Sequence, residues 1–217
     1  MHSLAESTIA VDGARSLILA NDMPDVLEYV RSLKRAQIDI IVDNYCFELF
    51  NDLLLAKHLI DSEVAGKVVI HCKKYPIFVS DAIRADVESL ARFMGIFEGP
   101  IMKAIDIMDH TYWNTQFEWF DRFPDELARH FASSSDLTIV KGDANYRKLV
   151  GGRKYPVDEP FAPLVEYFPA KAVCALRGLK CELVVGVSQE IAKQQAAVNP
   201  DWKVDGSRGV IQFAKKA

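Results

Sequence analysis

Four polar segments of this 217-residue chain each follow directly on an apolar run, and together they hold the side chains most able to do chemistry. Asp43-Asn44 follow Ile38 to Val42, and Ser80-Asp81 follow Ile77-Phe78-Val79. Lys141-Gly142-Asp143 and then Asn145-Tyr146-Arg147-Lys148 follow Leu137 to Val140, and Arg177-Gly178-Leu179-Lys180 follow Lys171 to Leu176. Taken singly, Asp, Asn or Ser at a strand-to-helix junction reads as a helix cap or turn residue. Taken together, they put acids, carboxamides and cations on one edge of one sheet. Two carboxylates and a carboxamide oxygen are hard ligands suited to Mg²⁺ or Mn²⁺. Arg177 and Lys180 are donors of the kind that hold a phosphate. A hard divalent ion facing a phosphate clamp points to phosphoryl chemistry.

Missing motifs narrow the field. No two of the 11 glycines are separated by one residue, so the chain has no GxG and no dinucleotide fingerprint. It also has no GxxxxGK[ST] loop, no HExxH and no GxSxG elbow. Tyr45 follows Asp43-Asn44, so the Asp-x-Asp of aspartyl-phosphate chemistry is absent. His58 and His71 read as structural residues rather than ligands. Glu48 is open to two readings: an acid turning back towards Asn44, or a solvated first-turn acid favoured by the helix dipole. Cys46, Cys72, Cys174 and Cys181 form no CxxC pair and sit in or beside apolar runs, as reduced thiols do.

Positioning these segments requires alternating elements. Asn21-Asp22-Met23-Pro24 is a helix start signal ahead of Val26, Leu27, Tyr29, Val30 and Leu33. Strands are expected at 38–42, 68–70, 77–79, 137–140 and 171–176, with further candidates at 182–187 and, as a closing edge, 210–213. Helices are expected at 46–60, 82–93 and from about Asn145. Short apolar runs separated by helices of this length imply a parallel sheet covered on both faces. The expected fold class is therefore α/β, a mostly parallel Rossmann-like sheet forming a single domain over 1–217. A short helical part is expected at 1–36, and a helical, aromatic-rich insertion at about 95–135 that carries Tyr112, Trp113, Phe117, Trp119, Phe120 and Phe123. Ligands of such sheets bind beyond the carboxyl ends of the strands.

The bulk composition excludes several classes. Half the residues are hydrophobic and 26% are charged, an ordinary globular balance. A net charge of −4 gives no global attraction to nucleic acid or an anionic membrane. No apolar run approaches the roughly 20 residues of a membrane span, and Glu6 and Asp12 interrupt the N-terminus where a signal peptide would be apolar. A cytoplasmic protein is expected.

The segments DNYCFELFNDLLLA, YPIFVSDA, KGDANYRKLVGGRKYP and LRGLK resemble, in order and approximate spacing, the signatures of the metal-dependent damage-control phosphatase family. Its eukaryotic branch is also described as a protein-glutamate O-methyltransferase. The resemblance runs from about Ser16 to Ala214. It implies that Asp43, Asn44 and Asp81 form the catalytic and metal-binding set. It also implies that these three, together with Asp143, Asn145, Arg177, Gly178, Leu179, Lys180 and Cys181, contact substrate. The implied activity is Mn²⁺-, Co²⁺- or Ni²⁺-supported hydrolysis of sugar phosphates such as fructose 1-phosphate. Two alternatives stand beside it: an inactive or regulatory ligand-binding remnant, and an S-adenosylmethionine-dependent carboxyl methyltransferase. The sequence departs from the family where only 42 residues precede Asp43, where Gly178 replaces a Thr, and at Gly206-Ser207-Arg208-Gly209.

Overall fold

The computed structural model describes Gly13 and residues 16–96, 103–115 and 119–216. Its framework is a seven-stranded sheet: β1 (Ile18–Asn21), β2 (Ala36–Ile41), β3 (Ala65–Lys73), β4 (Ile105–His110), β5 (Leu137–Lys141), β6 (Ala172–Gly178) and β7 (Gly209–Lys215). The spatial order is β1-β7-β6-β5-β2-β3-β4. Neighbours pair in parallel except β6 with β7, which pair antiparallel.

Strand alternation builds two cores. Ile38, Ile40 and Val42 point to one face, where they pack with residues of helices α1 (Met23–Ser32), α2 (Phe47–Asp61) and α3 (Arg84–Phe93). Ile41 and Val140 point to the other face, against α4 (Asp125–Ser134), α5 (Asp143–Val150) and α6 (Phe161–Val165). The last helix, α7 (Gln189–Val198), packs Ile191 and Ala192 on that same side. Helices on both faces of a largely parallel sheet confirm the α/β architecture.

The order of the strands locates the crevice. From β2 the chain steps outward to β3 and β4, then returns to place β5 on the other side of β2. This reversal between β2 and β5 is the topological switch point, where open α/β sheets bind ligands. Asp43 follows β2 and Asp143 follows β5.

Five expectations are corrected. Residues 77–79 form an exposed loop, with Val79 fully exposed. Pro76 has no N–H to give a ladder, and Phe78 adopts φ +56, which no pleated strand continues through. Residues 182–187 are a loop as well. It is buried at Val184, Val185 and Val187, turns at Gly186 (φ +73), and bonds through Gly186 N to Glu159 O and Val187 N to Val157 O. The strand at 210–213 is interior rather than an edge, because β1 pairs beyond it. Within 1–36, residues 18–21 form that strand, and the part of the expected helical segment at 1–12 and 14–15 lies outside the described residues. The stretch 95–135 contains edge strand β4 ahead of two 3-10 turns, Thr111–Asn114 and Phe120–Arg122, and α4. Residues 97–102 and 116–118, with Phe117, lie outside the described residues. Tyr112, Trp113, Phe120 and Phe123 pack on one another edge-to-face, tilted and, for Phe120 with Phe123, stacked, so the aromatic content builds a core layer over the sheet.

Candidate active site

After β2 ends, the backbone of Asp43 to Tyr45 turns alongside Ser80 to Ala82. Asn44 and Asp81 form an isolated antiparallel bridge, with Tyr45 N donating to Ser80 O (2.7 Å) and Ala82 N to Asp43 O (2.9 Å). Lys73 N donates to Ala82 O (3.0 Å), which ties the end of β3 to the same segment. Asp81 therefore reaches the site without a strand of its own: the backbone ladder, rather than a strand end, brings the two acids together.

The side chains form a cluster rich in acids. Asn44 Nδ2 donates to Asp43 Oδ2 (3.0 Å) and to Glu48 Oε2 (2.9 Å), while Asn44 Oδ1 accepts from Ser80 Oγ (2.6 Å). This resolves the two readings of Glu48: its carboxylate turns back to the site. Burial, with the negative charges of Glu48 and Asp81 beside it, pushes the Asp43 carboxyl up to about 6; Lys73 and Lys180 only partly offset this. Burial also raises Asp81, against the pull of Lys73. Asp81 Oδ2 is buried and has no hydrogen-bond partner among the described residues, the Lys73 ammonium standing off at 3.7 Å. A buried carboxylate oxygen that accepts no hydrogen bond is expensive to keep. Two undercompensated carboxylates with a carboxamide between them suit a hard divalent cation, which would satisfy the orphaned oxygen and screen the mutual repulsion.

The β5 side closes the site. Gly142 caps α5 at φ +85, and a Cβ built there would lie 2.0 Å from Asp43 Oδ2. Only a glycine lets that carboxylate lie against the helix start. Asn145 is buried and spends its Nδ2 on Val42 O (3.2 Å) and Lys141 O (2.9 Å), so it ties the ends of β2 and β5 together. Asp143 Oδ1 accepts from Arg177 Nε (2.8 Å), and Arg147 Nε lies 3.1 Å from Asp143 Oδ2.

The expected phosphate clamp divides in two. The Arg177 side chain is fully buried. It pairs with Asp143, donates through Nη1 to Leu183 O (2.6 Å) and through Nη2 to Cys181 Sγ (3.0 Å), and stacks over the Tyr146 ring at 4.4 Å. It holds the 181–183 loop and Asp143 in place rather than presenting donors to the crevice. Leu179 is buried and its N donates to Arg208 O (2.8 Å), while Lys180 N donates to Asp143 Oδ1 (3.3 Å). The amides of 179 and 180 are thus already engaged. Gly178 ends β6 opposite Gly209. Lys180 is exposed, and its positive charge acts on Asp43. Burial raises the Cys181 thiol, so it stays protonated at neutral pH.

A second donor set lies lower on the sheet, supplied by β2, β3 and helix α4. Asp39 and His71, both fully buried, and half-buried His130 are candidate metal-ligating residues whose donor atoms lie within 4.8 Å of one another. In this arrangement Asp39 Oδ1 accepts from His71 Nε2 (2.7 Å) and His130 Nε2 (2.6 Å). Burial opposes ionisation of Asp39, but the two imidazole hydrogen bonds outweigh it and hold its carboxyl far below the usual range. Burial lowers His71 in turn. The His71 ring stacks on Phe131 and meets Trp113 edge-on. The sequence held a signal for this cluster, an acid inside the run Ile38 to Val42, but nothing local identifies its partners. Lys73 was missed too, although it ends β3 as a cation beside the crevice.

Residues 5–195 match the family model described as the damage-control phosphatase ARMT1-like domain. The chain is 31% identical to damage-control phosphatase ARMT1 of Xenopus laevis over 229 residues, covering 94% of this chain and 52% of that protein. It is 34% identical to the Danio rerio protein of the same name over 196 residues, covering 84% and 44%, and 33% identical to that of Mus musculus over 221 residues, covering 92% and 50%. The chain thus spans about half the length of these curated relatives. A DUF89 family protein from Pyrococcus horikoshii superposes with a TM-score of 0.49 at 16% identity, covering 82% of this chain and 48% of that one.

Proposed function

The chain belongs to the damage-control phosphatase ARMT1-like family, and from that premise we propose that it hydrolyses small phosphate monoesters, sugar phosphates such as fructose 1-phosphate among them, with Mn²⁺, Co²⁺, Ni²⁺ or Mg²⁺ bound. The observation that carries this reading is the buried Asp81 oxygen, which has no hydrogen-bond partner among the described residues and only a long ion pair to Lys73, beside Asp43, whose carboxyl is pushed up to about 6, at the switch point of the sheet.

Asp43, Asp81 and the Asn44 carboxamide would hold the cation. When bound, it supplies Lewis-acid polarisation of a phosphoryl oxygen and acidifies a water. The chain's own groups do the rest. Glu48 and Ser80 fix the Asn44 amide from both ends. Lys73, held by Trp113 O (3.0 Å), and exposed Lys180 both place positive charge near Asp43, where a phosphate dianion would lie. Arg177 and Asn145 are positioning residues: the first fixes Asp143 and the 181–183 loop, and the second locks β2 to β5.

The test is release of phosphate from p-nitrophenyl phosphate and fructose 1-phosphate with each metal, beside an Asp43→Ala control. Turnover at least a thousandfold above the control is expected. Rates equal to the control overturn the proposal.

A further inference from the structure

A cavity of about 780 Å³ opens beside the candidate site. Asn145, Cys181 and Lys73 line one part of it, and Lys73 lies 3.7 Å from Asp81. Gly152 to Tyr155 line another part. Helix α5 measures the distance between them. Its start abuts Asp43 through Gly142, and its end leads into the Gly151-Gly152 turn eight residues on. At about 1.5 Å per residue that helix is on the order of 12 Å long, and Ala144, Asn145, Arg147 and Lys148 line the cavity along it, more length than a single phosphate ester needs to be gripped at its reacting end.

The charge in this cavity is opposite to that of the chain. The whole protein is net −4. The described residues lining the cavity carry five cations, Lys73, Arg147, Lys148, Arg153 and Lys154, against one acid, Glu182. That acid is itself paired with Lys203 at 3.4 Å. Near the site, Lys73 and Arg147 already answer Asp81 and Asp143, and Lys148 lies over the Tyr112 and Phe120 rings. At the far end, Arg153 and Lys154 are exposed, and no carboxylate among the described residues pairs with either. Their placement is built rather than incidental. Gly152 adopts φ +56 against Trp119, where a Cβ would come within 2.3 Å of the indole, and Tyr155 anchors the turn through its hydroxyl to Val150 O (2.8 Å).

We propose, on the basis of the phosphatase reading, that the substrates this cavity selects are phosphate esters bearing a second anionic group, of the sugar bisphosphate type. The reacting phosphate lies against Asp43 and Asp81, and Arg153 and Lys154 receive the distal anion. Two adjacent cations at a cavity mouth favour a dianion through charge-assisted hydrogen bonds and raise its local concentration.

The experiment compares fructose 1,6-bisphosphate with fructose 1-phosphate on the full chain and on the Arg153→Ala/Lys154→Ala double variant, by turnover with Mn²⁺ and by metal-free calorimetry. The expected result is a bisphosphate preference of tenfold or more in kcat/KM that shrinks to less than about threefold in the variant, through KM rather than kcat. A wild-type ratio near one, or a ratio the variant leaves intact, overturns it. If neither ester is turned over, the phosphatase reading fails and calorimetry decides alone. Tighter bisphosphate binding to the wild type than to the variant then supports the distal subsite, and equal binding overturns it.

Discussion

Two aspartates of one strand and its exit show what separates a structural charge from an available one. Asp39 lies in mid-strand, and Asp43 lies four residues later, about 13 Å along. Both are largely removed from water, yet their acidities move in opposite directions. Asp39 shares one oxygen between two imidazoles and is held far below the usual carboxylate range. Asp43 meets Glu48 and Asp81 and is pushed up to about 6. A carboxylate with complementary donors stabilises the native state, whereas one surrounded by its own kind costs stability until a cation arrives. Under the proposed function, the same strand and its exit thus hold one acid already satisfied by its neighbours and another left to receive a ligand.

The sharpest way to break this comparison is to neutralise each acid separately. Asp39→Asn removes one partner of a buried charged cluster and should cost about 3–5 kcal/mol of stability, visible as a large fall in Tm, with activity per folded molecule retained. Asp43→Asn should do the reverse. It removes a repelled buried charge, so the metal-free protein should gain roughly 1–2 kcal/mol after allowance for solvent screening, while metal-supported turnover disappears. A fall in Tm for both variants would mean that the two acids do not differ as described.

A change that touches neither acid tests the geometry. Gly142→Ala drives a Cβ into the Asp43 carboxylate and also strains a φ of +85. Misplacing a catalytic group by about 1 Å costs on the order of 10²-fold in rate. That loss in kcat, with the Asp39 cluster and its contribution to Tm unaffected, is the expected outcome; wild-type kinetics would show that the carboxylate does not need its contact with the helix start.

The smallest effect is on pH dependence. A carboxylate binds a cation only when ionised, so with Asp43 as the proposed ligand Mn²⁺ affinity should be full above about pH 6 and fall about tenfold per unit below it. Its folded value lies above the unfolded one, so ionising it costs the metal-free protein stability as pH rises from about 4 to 6. Asp39 behaves oppositely. Its folded value is depressed, so its contribution is present above about pH 4 and is lost only as pH falls through the folded value. Glu48→Gln removes one of the charges that raise Asp43 and should shift the midpoint of Mn²⁺ binding to lower pH, measured by titration calorimetry. A midpoint that does not move would remove Glu48 from the electrostatics of the site.

Much of this was legible in the sequence. Ile38 to Val42, Leu137 to Val140 and Lys171 to Leu176 are apolar runs too short for helices, and all three are strands of the sheet. The polar residues after the first two do come together at the switch point, where Gly142 lies against Asp43, because the exit of a parallel strand is the one place where a doubly covered sheet can present such groups. Ile77 to Val79 failed for a local reason: an apolar run beside Pro76, with Phe78 at positive φ, has no ladder to join. The run at 182–187 failed because burial in a loop leaves the same apolar signature as burial in a strand. The one-dimensional pattern records removal from water, and it does not record hydrogen-bond partners.

What the sequence determined by itself was therefore the class of fold and the strand exits at which acids, amides and cations gather, since both follow from periodicity and from which residue types tolerate burial. The tertiary structure alone decided which charges face one another. It turned Arg177 inward onto Asp143 and Cys181, brought His71 and His130 onto Asp39 from 32 and 91 residues away, and left a buried oxygen of Asp81 with no hydrogen bond among the described residues and only a long ion pair to Lys73. Electrostatic interaction falls with distance in space and not along the chain, so the meaning of each charge was fixed only when the strands were set side by side.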